Sequence, residues 1–179
     1  MCLCHTSSMA PTKELTANWL GALAVGLGDL LDHSLREESG LDPAGVAAVL
    51  TVRARPGQSV SDLAATLAMT HSGCVRVVGR LVDSGLLLRG PGPDGRTRGL
   101  RLTEAGEDAG RRMLRARREA LEGVVGRLSP EETGSLERAL RAVLPHLPGD
   151  RTSARRICRL CEHAVCRGDD CVVSVAAGG

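Results

Sequence analysis

The chain has 179 residues, enough for one domain with a substantial core and too few for two of about 150 residues each. Hydrophobic residues make up 42% and charged residues 25%, but Trp19 is the only aromatic residue, so the core must be Leu, Val and Ala, and no ring platform exists for stacking unpaired bases. The net charge of +2 is unevenly placed: residues 55–118 hold 12 Lys plus Arg against 6 Asp plus Glu, a balance of +6, and the remainder carries −4.

Residues 1–12 read as a disordered leader ending around Pro11, in which Cys2, Cys4 and His5 could in principle bind metal but, with two ligands one residue apart, are weak evidence for a site. A helix is predicted over residues 13–38, where Leu15, Trp19, Leu23, Leu27, Leu30, Leu31 and Leu35 recur at spacings of three and four. Gly40 ends it. Asp42-Pro43 opens a second helix with Val46, Val49, Leu50 and Val52 as its apolar side, and Pro56-Gly57 stops that one. Ser59 with Asp62 three residues later marks a short third helix running to about Leu67.

Thr70 caps the next helix, which is predicted to end at Gly85. At about 100° per residue, Ser72, Arg76, Gly79, Arg80 and Asp83 share one arc. Cys74, Val75, Val78, Leu81, Val82 and Gly85 share the opposite, apolar one. Beyond Gly85 the period changes. Residues 86–89 read as a strand, residues 90–95 as a Gly- and Pro-rich turn, and residues 96–102 as a second strand alternating basic or polar with smaller residues. Thr103-Glu104 opens a helix to about residue 125, with Leu114, Leu121 and Val125 inward and Arg111, Arg112, Arg115, Arg117 and Arg118 along it. Ser129-Pro130-Glu131-Glu132 starts a further helix with Leu136, Leu140, Val143 and Leu144 as its apolar side, stopped by Pro145 and Pro148.

Helix, turn, helix and then a basic hairpin is the pattern of a winged helix-turn-helix. Its second helix enters a major groove, and its wing meets the neighbouring backbone or minor groove. The residues Leu63-Ala64-Ala65-Thr66-Leu67, Thr70, Val78, Arg80-Leu81, Gly85-Leu86, Asp94-Gly95-Arg96 and Leu102-Thr103-Glu104-Ala105-Gly106 resemble the MarR family of winged-helix transcription regulators. The resemblance covers about residues 41–144. It implies a mainly α fold with a two-stranded β wing and a helical dimerisation region: a domain over 13–150, its DNA-binding part at about 43–106, and dimerisation helices at about 13–38 and 129–147. It also implies repression relieved by a small ligand or an oxidant. The residues expected to meet DNA are Thr70, His71, Ser72, Arg76, Arg80, Arg96 and Arg98. A homodimer would place two recognition helices about 34 to 36 Å apart on a pseudo-palindromic duplex.

Residues 151–179 follow as a cysteine-cluster tail. Cys158, Cys161, Cys166 and Cys171 read C-x2-C-x4-C-x4-C, and four thiolates are the complement of a tetrahedral zinc ion, with an iron-sulfur cluster or metal-free thiols that form disulfides on oxidation as the alternatives. Arg155, Arg156, Arg159 and Arg167 flank the set and favour thiolates. His163 is expected to face outward. Cys74, on the apolar arc, reads as a small core residue.

No run of about 18 apolar residues and no secretory signal is visible, so the expected setting is cytoplasmic, with no membrane partner. Nothing in the sequence marks a catalytic site: no nucleophile elbow, no phosphate-binding glycine loop and no H-E-x-x-H. The leading expectation is therefore a non-enzymatic, double-stranded-DNA-binding regulator with a redox- or metal-responsive tail. The competing expectations are a protein-interaction winged helix with a metal-stapled docking tail, and a cysteine oxidoreductase using Cys158 and Cys161.

Overall fold

The computed structural model describes residues 12–91, 98–166 and 171–178. Helix α1 (Lys13–Ser39) starts at Thr12, whose hydroxyl accepts the Leu15 N–H, and ends at Gly40 in the left-handed conformation, φ 66°. Helix α2 (Pro43–Ala54) has Asp42 as its cap, accepting the Gly45 N–H at 2.7 Å. Helix α3 (Val60–Leu67) carries a complete capping box between Ser59 and Asp62, and α4 (His71–Asp83) is capped by the Thr70 hydroxyl. The Asp62 carboxyl is held below the ordinary carboxylate range, first by the Ser59 hydroxyl and then by the Ser59 N–H.

Strands β1 (Leu87–Pro91) and β2 (Arg98–Leu102) pair antiparallel with Leu87 opposite Leu102 and Pro91 opposite Arg98. The hairpin is tied down at one edge. Gly57 N–H donates to the Leu100 carbonyl at 2.7 Å, and Leu100 N–H donates to the Gln58 carbonyl at 2.9 Å. A Cβ on Gly99 would stand 2.6 Å from the Gly57 carbonyl oxygen, which is why a glycine occupies the strand there. Helices α5 (Glu104–Val125) and α6 (Pro130–Val143) follow, capped by Thr103 and by a Ser129–Glu132 capping box. A 3₁₀ turn at Leu144–His146 leads into α7 (Arg151–Ile157), a second 3₁₀ turn at Cys158–Leu160 and α8 (Val172–Ala176).

One core joins these elements. Val49 and Val52 of α2 pack with Leu63 of α3, Cys74, Val78 and Leu81 of α4, Leu87 and Leu100 of the hairpin, and Met113 of α5, all at most 2% exposed. Each such side chain contributes roughly 1.5 to 3 kcal/mol of burial. The apolar arc of α4 is narrower than the helical wheel suggests. Val75 and Val82, expected inside, are each 37% exposed, and Val77 is buried in their place. The reason is that α4 is covered by α2, α3 and β1, so valines on its flank stay outside. Val125, also expected inward, is 40% exposed, because α5 has left the core by its last turn.

The C-terminal segment is not a free appendage. Helix α7 packs on α3, the Cys158–Leu160 turn packs on α2, and Leu160 joins the core from outside. Arg118 of α5 pairs with Glu162 at 3.6 Å, and Ala154 and Val173 are buried. By contrast, the first half of α1 exposes Trp19 (60%), Leu20, Leu23 and Val25, and α6 has no buried residue, with Leu140, Val143 and nearby Leu147 exposed. Among the described residues, no helix is long and apolar enough to cross a membrane.

Between α3 and α4 the chain turns through Ala68 at φ 53°, a left-handed conformation unfavourable for a residue with a Cβ. Ala68→Gly is expected to relieve that strain, partly offset by the greater freedom of glycine in the unfolded chain, for a net gain of about 0.5 to 1 kcal/mol. Urea unfolding measures it; a loss of stability would show that the turn is unstrained.

Candidate nucleic-acid interface and thiol cluster

Helix α4 presents a polar face because its apolar side is fully used by the core. His71, Ser72 and Arg76 lie exposed along its first half. Thr70 is committed as the cap, its hydroxyl accepting the Gly73 N–H at 3.1 Å and lying 3.5 Å from the Ser72 hydroxyl. His71 Nδ1 lies 3.4 Å from the Ser61 hydroxyl, which ties the start of α4 to α3. Arg80 is exposed too, but its Nη2 donates to Asp42 Oδ2 at 2.6 Å across to the start of α2. Both partners are more than half exposed, so the pair is worth at most about 1 kcal/mol and a phosphate can compete for the guanidinium.

The wing supplies charge that the sequence reading did not single out. Arg89 on β1 and Arg101 on β2 are exposed on the hairpin strands. The alternating pattern of residues 96–102 carries the signal for Arg101. Arg96 lies outside the described residues, and Arg98 is placed by its backbone, paired with Pro91. Three arginines of α5 are engaged elsewhere. Arg111 pairs with Asp108, Arg112 with Glu38 at 3.1 Å, and Arg118 with Glu122 and Glu162. The Arg112–Glu38 and Arg118–Glu162 pairs brace α5 against α1 and the C-terminal segment.

The second site is built where α7 ends. The Cys158 thiol stands close enough to those of Cys161 and Cys171 to interact with both. As donor it holds Cys161 down to about 6, helped by the nearby Arg117 and Arg159, against the effect of burial. Cys158 is correspondingly pushed far up by its bond with Cys161, by burial and by the charge of its neighbours. Cys166 is exposed, and lines the same cavity as Cys158 and Cys171. The described cysteines are unbridged, and among the described residues no group of three or more His, Cys, Asp or Glu is drawn to metal-binding distance. His163 is exposed yet lines the same cavity as Cys158, Cys166 and Cys171, so it does not simply face away from the thiols; burial, then the charge of Arg55, lowers its pKa. Cys74 is fully buried, and desolvation raises its pKa.

The arrangement of α2, α3, α4 and the hairpin has counterparts. Residues 39–97 match the model of the MarR family. The structure superposes on RV1404 from Mycobacterium tuberculosis with a TM-score of 0.65 at 24% identity, covering 76% of this chain and 94% of that one. It likewise superposes on Sco3205 from Streptomyces coelicolor, a MarR family transcriptional regulator solved in complex with DNA, with a TM-score of 0.57 at 26% identity over 81% and 95% of the two chains. Wild-type MarR from E. coli is covered over 100% of its length by 77% of this chain, with a TM-score of 0.58 at 22% identity. Residues 39–97 resemble the MarR family, and the fold around them is a winged helix. Among curated proteins, none matches the chain.

The MarR-like residues have local physical reasons. Gly85 takes φ 71° where α4 ends, and Leu86 N–H then reaches back to the Leu81 carbonyl at 2.9 Å. In Leu102-Thr103-Glu104-Ala105-Gly106, the Thr103 hydroxyl donates to the Gly85 carbonyl at 2.6 Å and accepts the Gly106 N–H at 3.0 Å. Gly106 lies directly against the Leu86 carbonyl, where no side chain fits. These contacts lock the base of the wing to both α4 and α5, which sets the angle between α4 and the hairpin. The matched family segment ends at residue 97, so the cysteine cluster lies outside it.

Proposed function

We propose that this chain is a transcriptional regulator that binds double-stranded DNA as a homodimer and acts as a repressor at a pseudo-palindromic site. The observation that carries the reading is the exposed Ser72–Arg76 face of α4, set beside a hairpin bearing Arg89 and Arg101, in a fold shared with a protein solved on DNA. Arg76 is in reach of base edges in a major groove; the wing arginines would meet phosphate and position the helix. The apolar residues left outside on α1 and α6 support a second copy as partner, since Trp19, Leu23, Leu140 and Val143 have no cover among the described residues. We further propose that Cys158, Cys161, Cys166 and Cys171 hold zinc, with Cys166 drawn in as the fourth ligand, and that metal loss or oxidation there is the signal. The low pKa of Cys161 and the seating of α7 on the helix-turn-helix support it.

Fluorescence anisotropy on duplexes tests the DNA reading. Binding should weaken steeply with salt, as phosphate contacts require. Arg76→Ala should cost about 1 to 3 kcal/mol and relax preference at one base position. A monomer bound to an asymmetric site, or an Arg76→Ala variant with unchanged sequence preference, overturns the assignment.

Trp19 makes the dimer directly visible. As the only aromatic residue it is the sole intrinsic fluorophore, and it is 60% exposed on α1. Its emission should shift to the blue as concentration rises through the dimer constant, in step with sedimentation. Emission independent of concentration in a sample shown to dimerise would place the interface elsewhere.

A further inference from the structure

A cavity of about 300 Å³ opens between the end of α2 and the C-terminal segment. That volume is at the lower end of the range for small-molecule pockets. Four arginines line it: Arg55 from α2's end, Arg151 and Arg155 from α7, and Arg159 from the following turn. No acidic residue lines it among the described residues. Arg151 donates to the Gly178 carbonyl and Arg159 to the Arg156 carbonyl, which fixes two of the guanidinium groups in place. Asp62 is near Arg55 and Arg155 and offsets part of the charge of Arg55, while its Oδ2 accepts from the Ser59 N–H and hydroxyl, so one carboxylate faces a group of four guanidinium groups.

Two further features point to a missing acceptor. Thr51 lines the cavity and is only 1% exposed, yet its hydroxyl has no hydrogen-bond partner. Arg55 Nε is also buried without a partner, although its Nη2 donates to the Thr66 hydroxyl at 3.2 Å. A buried donor left unsatisfied is costly, and clustered guanidinium groups repel. Burial and, secondly, the neighbouring Arg155 disfavour the charge of Arg55. One group answers both: an anion with several acceptor oxygens. Guanidinium forks match phosphate in geometry and charge.

We propose that this cavity binds a small phosphate-bearing ligand, with Arg55 and Arg155 clamping the phosphate and the Thr51 hydroxyl donating to it. Ala54, Ala154 and Ala177 complete the lining and leave room for a short organic body. The proposal stands whether or not the chain binds DNA. The cavity shares Cys158 and Cys171 with the thiol cluster, and arginines that merely neutralise thiolates would have no use for the Thr51 hydroxyl.

The test is calorimetric titration of the full-length, reduced protein in phosphate- and sulfate-free buffer, with inorganic phosphate, glycerol 3-phosphate and succinate. One phosphate compound should bind at one site per chain, more tightly than succinate; the tighter of the two distinguishes the free ion from a phosphate ester. Thr51→Val keeps the shape and should weaken binding about tenfold or more, as loss of a hydrogen bond to a charged group does, while raising the melting temperature of the ligand-free protein. Arg155→Gln, on the exposed side of α7, should abolish binding without unfolding the chain. Metal content measured on the same samples should be unchanged by Thr51→Val. Absence of binding by both phosphate compounds, tighter binding of succinate, or equal phosphate affinity in Thr51→Val overturns the proposal.

Discussion

Gly106→Ala is expected to cost at least about 4 kcal/mol, enough to leave much of the population of an ordinary domain unfolded or close to it. A Cβ on Gly106 would collide with the Leu86 carbonyl oxygen, and it would also stand 3.0 Å from the Leu86 carbonyl carbon and 3.2 Å from Leu102 Cβ. Those are backbone and strand atoms that cannot swing aside. The same Leu86 carbonyl accepts the Thr103 N–H at 3.1 Å, and Thr103 caps α5 while bonding to Gly85. Making room for one methyl group therefore means moving the start of α5 away from both the wing and the end of α4. Gly123 in the same helix is the control. Nothing lies within 4 Å of its Cβ position, so Gly123→Ala should gain roughly 1 kcal/mol from helix propensity alone. Opposite signs for two identical substitutions in one helix, read from urea unfolding, isolate the close approach. A Gly106→Ala variant within about 1 kcal/mol of wild type would show that α5 and Leu86 are not packed as described.

Much of the architecture was legible because local chemistry and tertiary packing agree here. The Thr70 cap, the Ser59–Asp62 and Ser129–Glu132 boxes and Asp42-Pro43 place helix starts without reference to anything distant, and the structure uses every one of them. What escaped the sequence depends on long-range partners. The wheel for α4 assigns angles correctly but cannot say how wide an arc the neighbours cover, so Val75 and Val82 were placed inside. Arg80 lies on the expected face, yet Asp42, 38 residues earlier, holds it. Helices α7 and α8 are too short, and their apolar residues too few, to produce a periodic signal. They are fixed instead by single contacts such as Ala154, Leu160, Val173 and the Arg118–Glu162 pair.

That docking changes what loss of the thiols should do. With zinc held by the four cysteines as proposed, changing Cys158 and Cys161 together to Ser is expected to reduce it from one ion per chain to none, because a tetrahedral site cannot be held by the two remaining cysteines. The winged helix should stay folded, since its shared core of Val49, Leu63, Val78 and Met113 does not involve them. It should nevertheless lose stability, because Leu160 lies between the two substituted positions and packs on that core. Operator affinity should fall as well. Helix α7 rests on α3, the first helix of the helix-turn-helix, so a tail released from its metal removes support from one side of the reading unit. A coupling of this kind is ordinarily worth about 1 to 3 kcal/mol, or roughly 5- to 150-fold in affinity. Oxidation by diamide should have the same effect: the Cys158 and Cys161 thiols give up two electrons and two protons to the reagent, form a disulfide and cease to be ligands. Zinc content by metal analysis and operator affinity by anisotropy are compared at one salt concentration for zinc-loaded wild type, oxidised wild type and the double variant. Equal affinity in all three would reduce the thiol cluster to a staple of the C-terminal segment; a visible absorption band in protein purified without oxygen would replace zinc by an iron-sulfur cluster.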